Sequence, residues 1–374
     1  MDGKRHLPVV IGQGSYNDLG VIRSLGEARV KSVYLTDGDS VIPIRKSSYL
    51  LETLTSNLES GLYEALEQIH AHYHAPLVLY PTSDSVAAKL DELYSPLSSF
   101  AVAPHANGRL LGLMDKARQA GMAKACGFDV PVCQTLDLNE GSAVAFPFPC
   151  IVKPRFSVLG KKEHIAVCRN ADELHAALSV YRESGETSIL LQEYIDPGNI
   201  REVCFTGVAL GHGRVVVGGM VTKHRIVGNG STSFGTFRPS VPSQQQQAVS
   251  RFIAQTGFNG LFDMECFVGH DGHLLFIECN FRNGAYGYAA TRAGVNLPLQ
   301  YYLGMLGQDL PHGSTRKVVF MEERVDVLNV KAGRITLLRW LRDVCRTNVF
   351  LYSNWRDPGP MLRVPHTVAR LFKF

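Results

Sequence analysis

The sequence has no C-x-x-C pair, no unbroken run of about 18 apolar residues and only two tryptophans in 374 residues. The missing cysteine pairs exclude the common zinc and dithiol frameworks. The eight cysteines (Cys126, Cys133, Cys150, Cys168, Cys204, Cys266, Cys279 and Cys345) sit mostly inside apolar runs, as buried thiols of a cytoplasmic protein do. No integral membrane segment is expected, and the apolar stretch Leu7–Ile11 is too short for a signal peptide. Charged residues make up only 19% against 45% hydrophobic, with 35 Gly and 18 Pro spread along the chain. That excludes disorder, collagen and coiled coil and fits an α/β protein of two or three domains. The net charge of +4 is unevenly placed: residues 331–374 hold nine Lys/Arg against Asp343 and Asp357, so this segment is +7 and the rest −3.

The first 108 residues alternate strands and helices. Leu7–Ile11 is apolar, Gly12-Gln13-Gly14 allows a tight turn, and Leu19, Val21, Ile22 and Leu25 form a helical face that ends at Gly26. Strands at 33–35, 77–80 and 100–103, with helices at 60–74 and 85–93, predict a doubly wound, Rossmann-like domain. Asn17 stands where a dinucleotide fingerprint needs its third glycine, and Asp37 is a weak ribose ligand, so the turn is read as touching substrate rather than NAD. His70, His72 and His74 diverge along a helix, as a solvated helix end does and a metal pair does not.

At residue 109 the character changes. Asp115 caps a helix from Lys116 to Cys126, and Gly127 closes it. Two strand clusters follow over 131–192 and 193–290, separated by helices at 171–184 and 243–256. Ser243-x-x-Gln246 reads as a capping box at the second of these. The expected division is 1–108, 109–192, 193–308 and a basic extension, 309–374.

Chemistry concentrates in three places. Lys153 ends the apolar strand Cys150–Pro154 and precedes a basic turn that includes Lys161, an arrangement suited to nucleotide phosphates. Gln192-Glu193-Tyr194-Ile195 closes a strand able to offer backbone groups to an adenine edge, with Glu202 nearby for ribose hydroxyls. The strands Phe262–Val268 and Leu274–Asn280, joined at His270-Asp271-Gly272, read as a hairpin in which Glu265 faces Glu278 and Asn280. Like charges opposed across a hairpin require a cation between them, and two carboxylates with an amide oxygen suit Mg²⁺. Arg282, two residues on, reaches the same phosphoryl oxygens.

In this order the elements resemble the ATP-grasp superfamily: Leu113-Met114-Asp115-Lys116, Ile151-Val152-Lys153-Pro154, Gln192–Ile195, Glu265, and Ile277-Glu278-x-Asn280-x-Arg282. The resemblance covers residues 7 to about 300. Asn17-Asp18-Leu19-Gly20 adds a likeness to carboxylate-amine ligases related to D-aspartate ligase. It implies an ATP-grasp fold behind an N-terminal Rossmann-like domain. It also implies that Lys116 and Lys153 bind the ATP phosphates, Glu193 and Ile195 the adenine, Glu202 the ribose, and Glu265, Glu278 and Asn280 Mg²⁺ or Mn²⁺.

The activity implied is ATP-dependent ligation of a small carboxylate to an amine through an acyl phosphate. Lys153, Arg282 and Lys223 are its catalytic residues, and Arg225 and Arg292 are further candidates for anionic groups. Asp84 or a bound water is left to accept the amine proton. Bicarbonate activation, as in biotin-dependent carboxylases, and nucleotide binding without turnover are the alternatives. No nucleic-acid partner is expected; a homodimer is. The amphipathic segment Ile335–Arg346 either gives the basic tail a weak hold on an anionic membrane surface or phosphate-bearing substrate, or packs its leucines on the chain's own core.

Overall fold

A computed structural model describes residues 6–38, 43–139, 145–156, 158, 164–196, 200–227, 231–269, 272–311 and 313–363. Lys161 and the His270-Asp271 turn lie outside the described residues. Strands form three sheets among them.

The first sheet is wholly parallel, in the order β3 (Leu50–Thr55), β2 (Ser32–Thr36), β1 (Leu7–Gly12), β4 (Leu77–Pro81), β5 (Ala101–Val102). β1, β2 and β4 are buried along their whole length, as strands covered on both faces must be. Sequence alone does not mark β3, an edge strand whose side chains are mostly half-exposed and carry no apolar run. Helix α1 (Tyr16–Glu27) follows β1 through a capping box between Ser15 and Asp18. The Asp18 carboxylate also takes the Gly14 amide at 2.8 Å and the Tyr34 and Thr82 hydroxyls at 2.8 and 2.6 Å. A Cβ on Gly12 would lie 2.3 Å from the Thr82 hydroxyl oxygen, so this packing requires glycine.

The second sheet is antiparallel, in the order β6 (Cys133–Asp137), β9 (Ser188–Glu193), β7 (Cys150–Pro154), β8 (Ala166–Cys168). The helix Ala171–Glu183 packs Leu174, Leu178 and Tyr181 against Cys150, Val152 and Leu191 on one of its faces.

The third sheet runs β14 (Leu274–Asn280), β13 (Gly260–Val268), β10 (Arg201–Ala209), β11 (Val215–Val227), β12 (Ser231–Arg238), β15 (Val318–Met321), β16 (Val349–Phe350). Alternate residues feed two cores. Val203, Phe205, Phe262 and Phe276 pack with the helix Ser243–Thr256, while Cys204, Val221, Phe237 and Phe320 pack toward α1 and the helices Gly287–Arg292 and Leu297–Met305. The expected capping box at Ser243 is absent. Pro242 is the cap and its carbonyl takes the Gln246 amide, so Ser243 stands one position too far inside the helix to cap it.

β15 and β16 bring residues of the basic C-terminal segment into this central sheet. The segment is also fastened to α1: Arg23 and Asp357, both fully buried, pair at 3.1 Å, and Arg23 also donates to the Leu351 and Tyr352 carbonyls. The amphipathic segment forms a helix, Leu337–Arg346, but its leucines do not pack on the core: Leu337, Leu338 and Leu341 are 53, 80 and 46% exposed. Asp343 is the buried residue, drawn inward by Arg225, which also pairs with Asp326 and lies 4.2 Å over the Phe234 ring. Arg225 is therefore a structural residue, and Arg292 pairs with Glu27 at 2.9 Å. No helix among the described residues is long and apolar enough to cross a membrane.

Removing Asp357 leaves the Arg23 guanidinium buried without its carboxylate. Asp357→Ala is expected to cost about 3–5 kcal/mol in urea unfolding. Arg23→Met/Asp357→Ala is expected to recover part of that loss, because the stranded charge is gone.

Candidate active site

One end of the third sheet, on the face toward α1, gathers most of the residues singled out in the sequence. In the hairpin β13–β14, Glu265 stands opposite Glu278 and Asp263 opposite Asn280, so all four side chains share a face. Across the next ladder Cys204 pairs with Glu265, which puts Glu202 on the same face, and Lys223 of β11 lies beside it. A different pair of carboxylates, Glu202 and Glu265, is bridged by a cation of the chain itself. Lys223, 3% exposed, bridges Glu202 and Glu265, its ammonium 2.8 Å from Glu265. Burial opposes its charge most, but neighbouring Cys204, Glu265 and Glu202 together outweigh it and hold the ammonium well above the ordinary lysine range.

Lys116 reaches Glu278 at 3.6 Å from the helix Lys116–Ala125. Its position follows from a clip one turn further on. The Gln119 side chain donates to the Cys279 carbonyl at 2.9 Å and accepts the Cys279 amide at 2.8 Å, fixing the helix against β14. Asp115 caps this helix as expected, and Arg155 folds back onto Asp115 at 2.6 Å, which ties the end of β7 to the helix start. Lys153 is thereby held near Lys116, Glu278 and Glu265. Burial is the main influence on its ammonium and Lys116 adds to it, so the group falls to about 8 despite the attraction of the carboxylates. On the second sheet Lys153 and Gln192 share a face, since they pair with Leu190 and Ile151. The Glu193 side chain points to the other face and is exposed, accepting the Val132 amide at 3.3 Å. Tyr194 and Ile195 continue beyond β9 as half-buried residues.

Arg282 pairs with Asp84 at 3.0 Å, so Asp84 is already committed to a guanidinium. Asn280 is within 3.4 Å of the same guanidinium. Asp37 accepts a hydrogen bond from Gln13 at 2.9 Å.

Sequence reasoning missed several residues here. Asp263 is fully buried and bonded to the Tyr286 phenol; burial, reinforced by Glu265, pushes its carboxyl up to about 7. Period-two alternation from Glu265 was the available signal. Cys204, Asp263 and Glu265 place potential ligand atoms within 4.8 Å of one another, but burial raises the Cys204 thiol well above its usual range and keeps it protonated. The oxygen donors are therefore the carboxylates and Asn280, a set suited to a hard cation such as Mg²⁺. Asn17 donates to the Thr82 and Asn283 carbonyls and accepts the Asn283 amide, so it locks the first domain to the loop that carries Arg282. Tyr16 and Glu322 also border the site.

No family model and no curated protein matches this chain. Solved structures do. The chain is similar to N5-carboxyaminoimidazole synthetase from Staphylococcus aureus complexed with ADP (TM-score 0.66, 19% identity, 88% of this chain and 87% of that one). It is similar to the biotin carboxylase domain of Hydrogenobacter thermophilus 2-oxoglutarate carboxylase, a dimer in complex with MgADP, ADP and bicarbonate (0.64, 20%, 83% and 73%). A third is L-amino acid ligase from Bacillus licheniformis (0.61, 13%, 80% and 73%).

Lys223→Met would leave Glu202 and Glu265 facing each other with no cation between them. It is expected to destabilise the protein by about 3 kcal/mol, with Glu202→Gln in the same chain restoring part of the loss, read as urea midpoints.

Proposed function

On the premise that the chain has the ATP-grasp fold, we propose that it is an ATP-dependent ligase that joins a carboxylate to an amine through an acyl phosphate. The observation that carries this reading is the shared face of Glu265, Glu278 and Asn280, flanked by Lys116 and Lys153, which are 7 and 6% exposed. Acidic oxygens and buried ammonium groups side by side suit a metal-bound polyphosphate, which needs both. Neighbours of the same fold are complexed with ADP and MgADP, which supports ATP and Mg²⁺, or Mn²⁺, as cofactors.

In this reading Glu265, Glu278 and Asn280 hold Mg²⁺, which when bound offsets phosphate charge and fixes the phosphoryl group for transfer. Lys116 and Lys153 bind phosphate oxygens, and Lys161, outside the described residues, is assigned to the same phosphates. Gln192, Glu193, Tyr194 and Ile195 border the adenine, the first through its side chain and Glu193 through its backbone. Glu202 serves the ribose while Lys223 neutralises it. Arg282 and Lys223 stabilise charge on the transferring group. The second sheet, carrying Lys153, shields the acyl phosphate from water.

A cytoplasmic homodimer completes the proposal. The exposed Leu337, Leu338 and Leu341 beside Arg339, Arg342 and Arg346 support a weak, salt-sensitive hold on an anionic membrane surface.

Release of ADP only when an acid and an amine are both supplied is the expected result of a substrate screen. Release with bicarbonate alone would assign a carboxylase instead. Glu278→Gln is expected to abolish turnover at limiting Mg²⁺ while the protein stays folded. Lys153→Met should raise the ATP KM and lower kcat together, by about tenfold or more each. Reversing Arg339, Arg342 and Arg346 to Glu is expected to abolish sedimentation with phosphatidylglycerol vesicles at low salt, and binding unchanged by the reversal would remove the membrane contact.

A further inference from the structure

Beyond Lys223 the active face continues toward β15. Lys223 pairs with Gly235 and Gly235 with Phe320. Glu322, two residues on, follows by alternation on the same face, its amide bonded to the Ser233 carbonyl. Its side chain is buried at 1% exposure, and its carboxylate accepts the Val325 amide as a helix cap. The nearby Arg324 instead lies over the Tyr352 ring at 4.5 Å. No ion pair to Glu322 occurs among the described residues, whereas Glu202 and Glu265 have Lys223 and Glu278 has Lys116; the buried Asp263 on the same face has the Tyr286 phenol instead. A buried carboxylate lacking a cation is unfavourable, and a ligand that brings one relieves it.

The second observation comes from α1. The Tyr16 phenol, at the first position of that helix, lies within electrostatic reach of Glu322, Arg282 and Lys223 together. It joins the uncompensated carboxylate to the cationic groups that the proposed function assigns to the transferring phosphoryl group. Toward the hairpin the lysines and carboxylates pair with one another, while a carboxylate and a phenol lie toward β15. A small molecule that lies along it is selected for a positive group at the β15 end.

We infer that Glu322 and Tyr16 form a subsite for the ammonium group of the acceptor substrate, so that the acceptor is a primary amine that arrives protonated, rather than ammonia or a neutral amide, and gives one proton to a water molecule before its nitrogen attacks. The inference rests on the ligase reading for the word acceptor. The subsite itself rests on the burial of Glu322, its lack of a cation and its place on the active face.

The test uses the full-length protein and two nucleophiles. Hydroxylamine, neutral at pH 7, traps acyl phosphates without needing an ammonium site; ethanolamine and amino acids arrive protonated. With the acid found by the ADP-release screen, Glu322→Gln is expected to lower the ratio of amide to hydroxamate by about tenfold, through a raised amine KM. Glutamine can still cap Val325, and Tyr16→Phe should move the ratio in the same direction. A ratio equal to that of the wild type in both variants overturns the subsite.

If the wild type forms no hydroxamate with any acid, the ligase reading fails, and the subsite is then decided by titrating ethylammonium chloride at pH 8.5 with NMR detection. Binding lost in Glu322→Gln sustains it, and equal binding overturns it. In wild type, ethylammonium affinity should fall as pH drops through about 7, because burial and Glu323 raise the Glu322 carboxyl to that value and protonation removes its charge. Asp326 adds to this rise and Arg324 opposes it. Arg282 and Lys223 are held charged, and burial pushes Tyr16 up to about 12, so it stays neutral across the range.

Discussion

Carboxylates crowded on one face of a sheet are the constraint around which this structure is arranged. Glu202, Glu265 and Glu278 would repel each other strongly if left alone; unit charges 4 Å apart at an effective dielectric of 20 interact by about 4 kcal/mol. The fold answers with lysines from separate elements: Lys223 on β11, Lys116 on a helix and Lys153 on the second sheet. The charge balance is therefore tertiary. It exists only when three parts of the chain close on one another, and the clip between Gln119 and Cys279 and the pair Arg155–Asp115 serve that closure.

The same logic explains why the first domain and the C-terminal segment belong to the site. Asn17 and Asn283 exchange hydrogen bonds across the junction, which positions the loop carrying Arg282, and Arg282 is held in turn by Asp84 from the first domain. Arg23 grips the C-terminal segment through Asp357 and two carbonyls, and that segment carries β15, which Glu322 directly follows. A long chain of buried polar contacts thus sets the geometry at the sheet's end. The apolar cores on either side of the sheet supply the stability that permits it.

Local chemistry was legible in the sequence wherever a motif was local. The hairpin, the opposition of Glu265 and Glu278, the Asp115 cap and the Gly12–Gly14 turn all follow from neighbouring residues. Side-chain destinations that depend on distant partners did not follow. Arg225 resembled an anion ligand but is consumed by Asp326 and Asp343, more than 100 residues away along the chain. Glu193 sits in the expected hinge, yet the period of two turns its side chain away from Lys153. The leucines of the Leu337–Arg346 helix misled for the opposite reason: helical spacing shows that they share a face, and Arg225, by drawing Asp343 inward, decides that the face looks outward. Asn17-Asp18-Leu19-Gly20 consists of ordinary residues, and only the structure shows Asn17 at the domain junction and Asp18 bracing the turn.

The central claim, that this face transfers a phosphoryl group to a carboxylate, is tested most directly by following oxygen. With the acid identified by screening labelled at its carboxylate with ¹⁸O, turnover in the presence of the amine is predicted to deliver one ¹⁸O atom to each phosphate released. Phosphate free of the label, formed alongside the amide, would contradict the account.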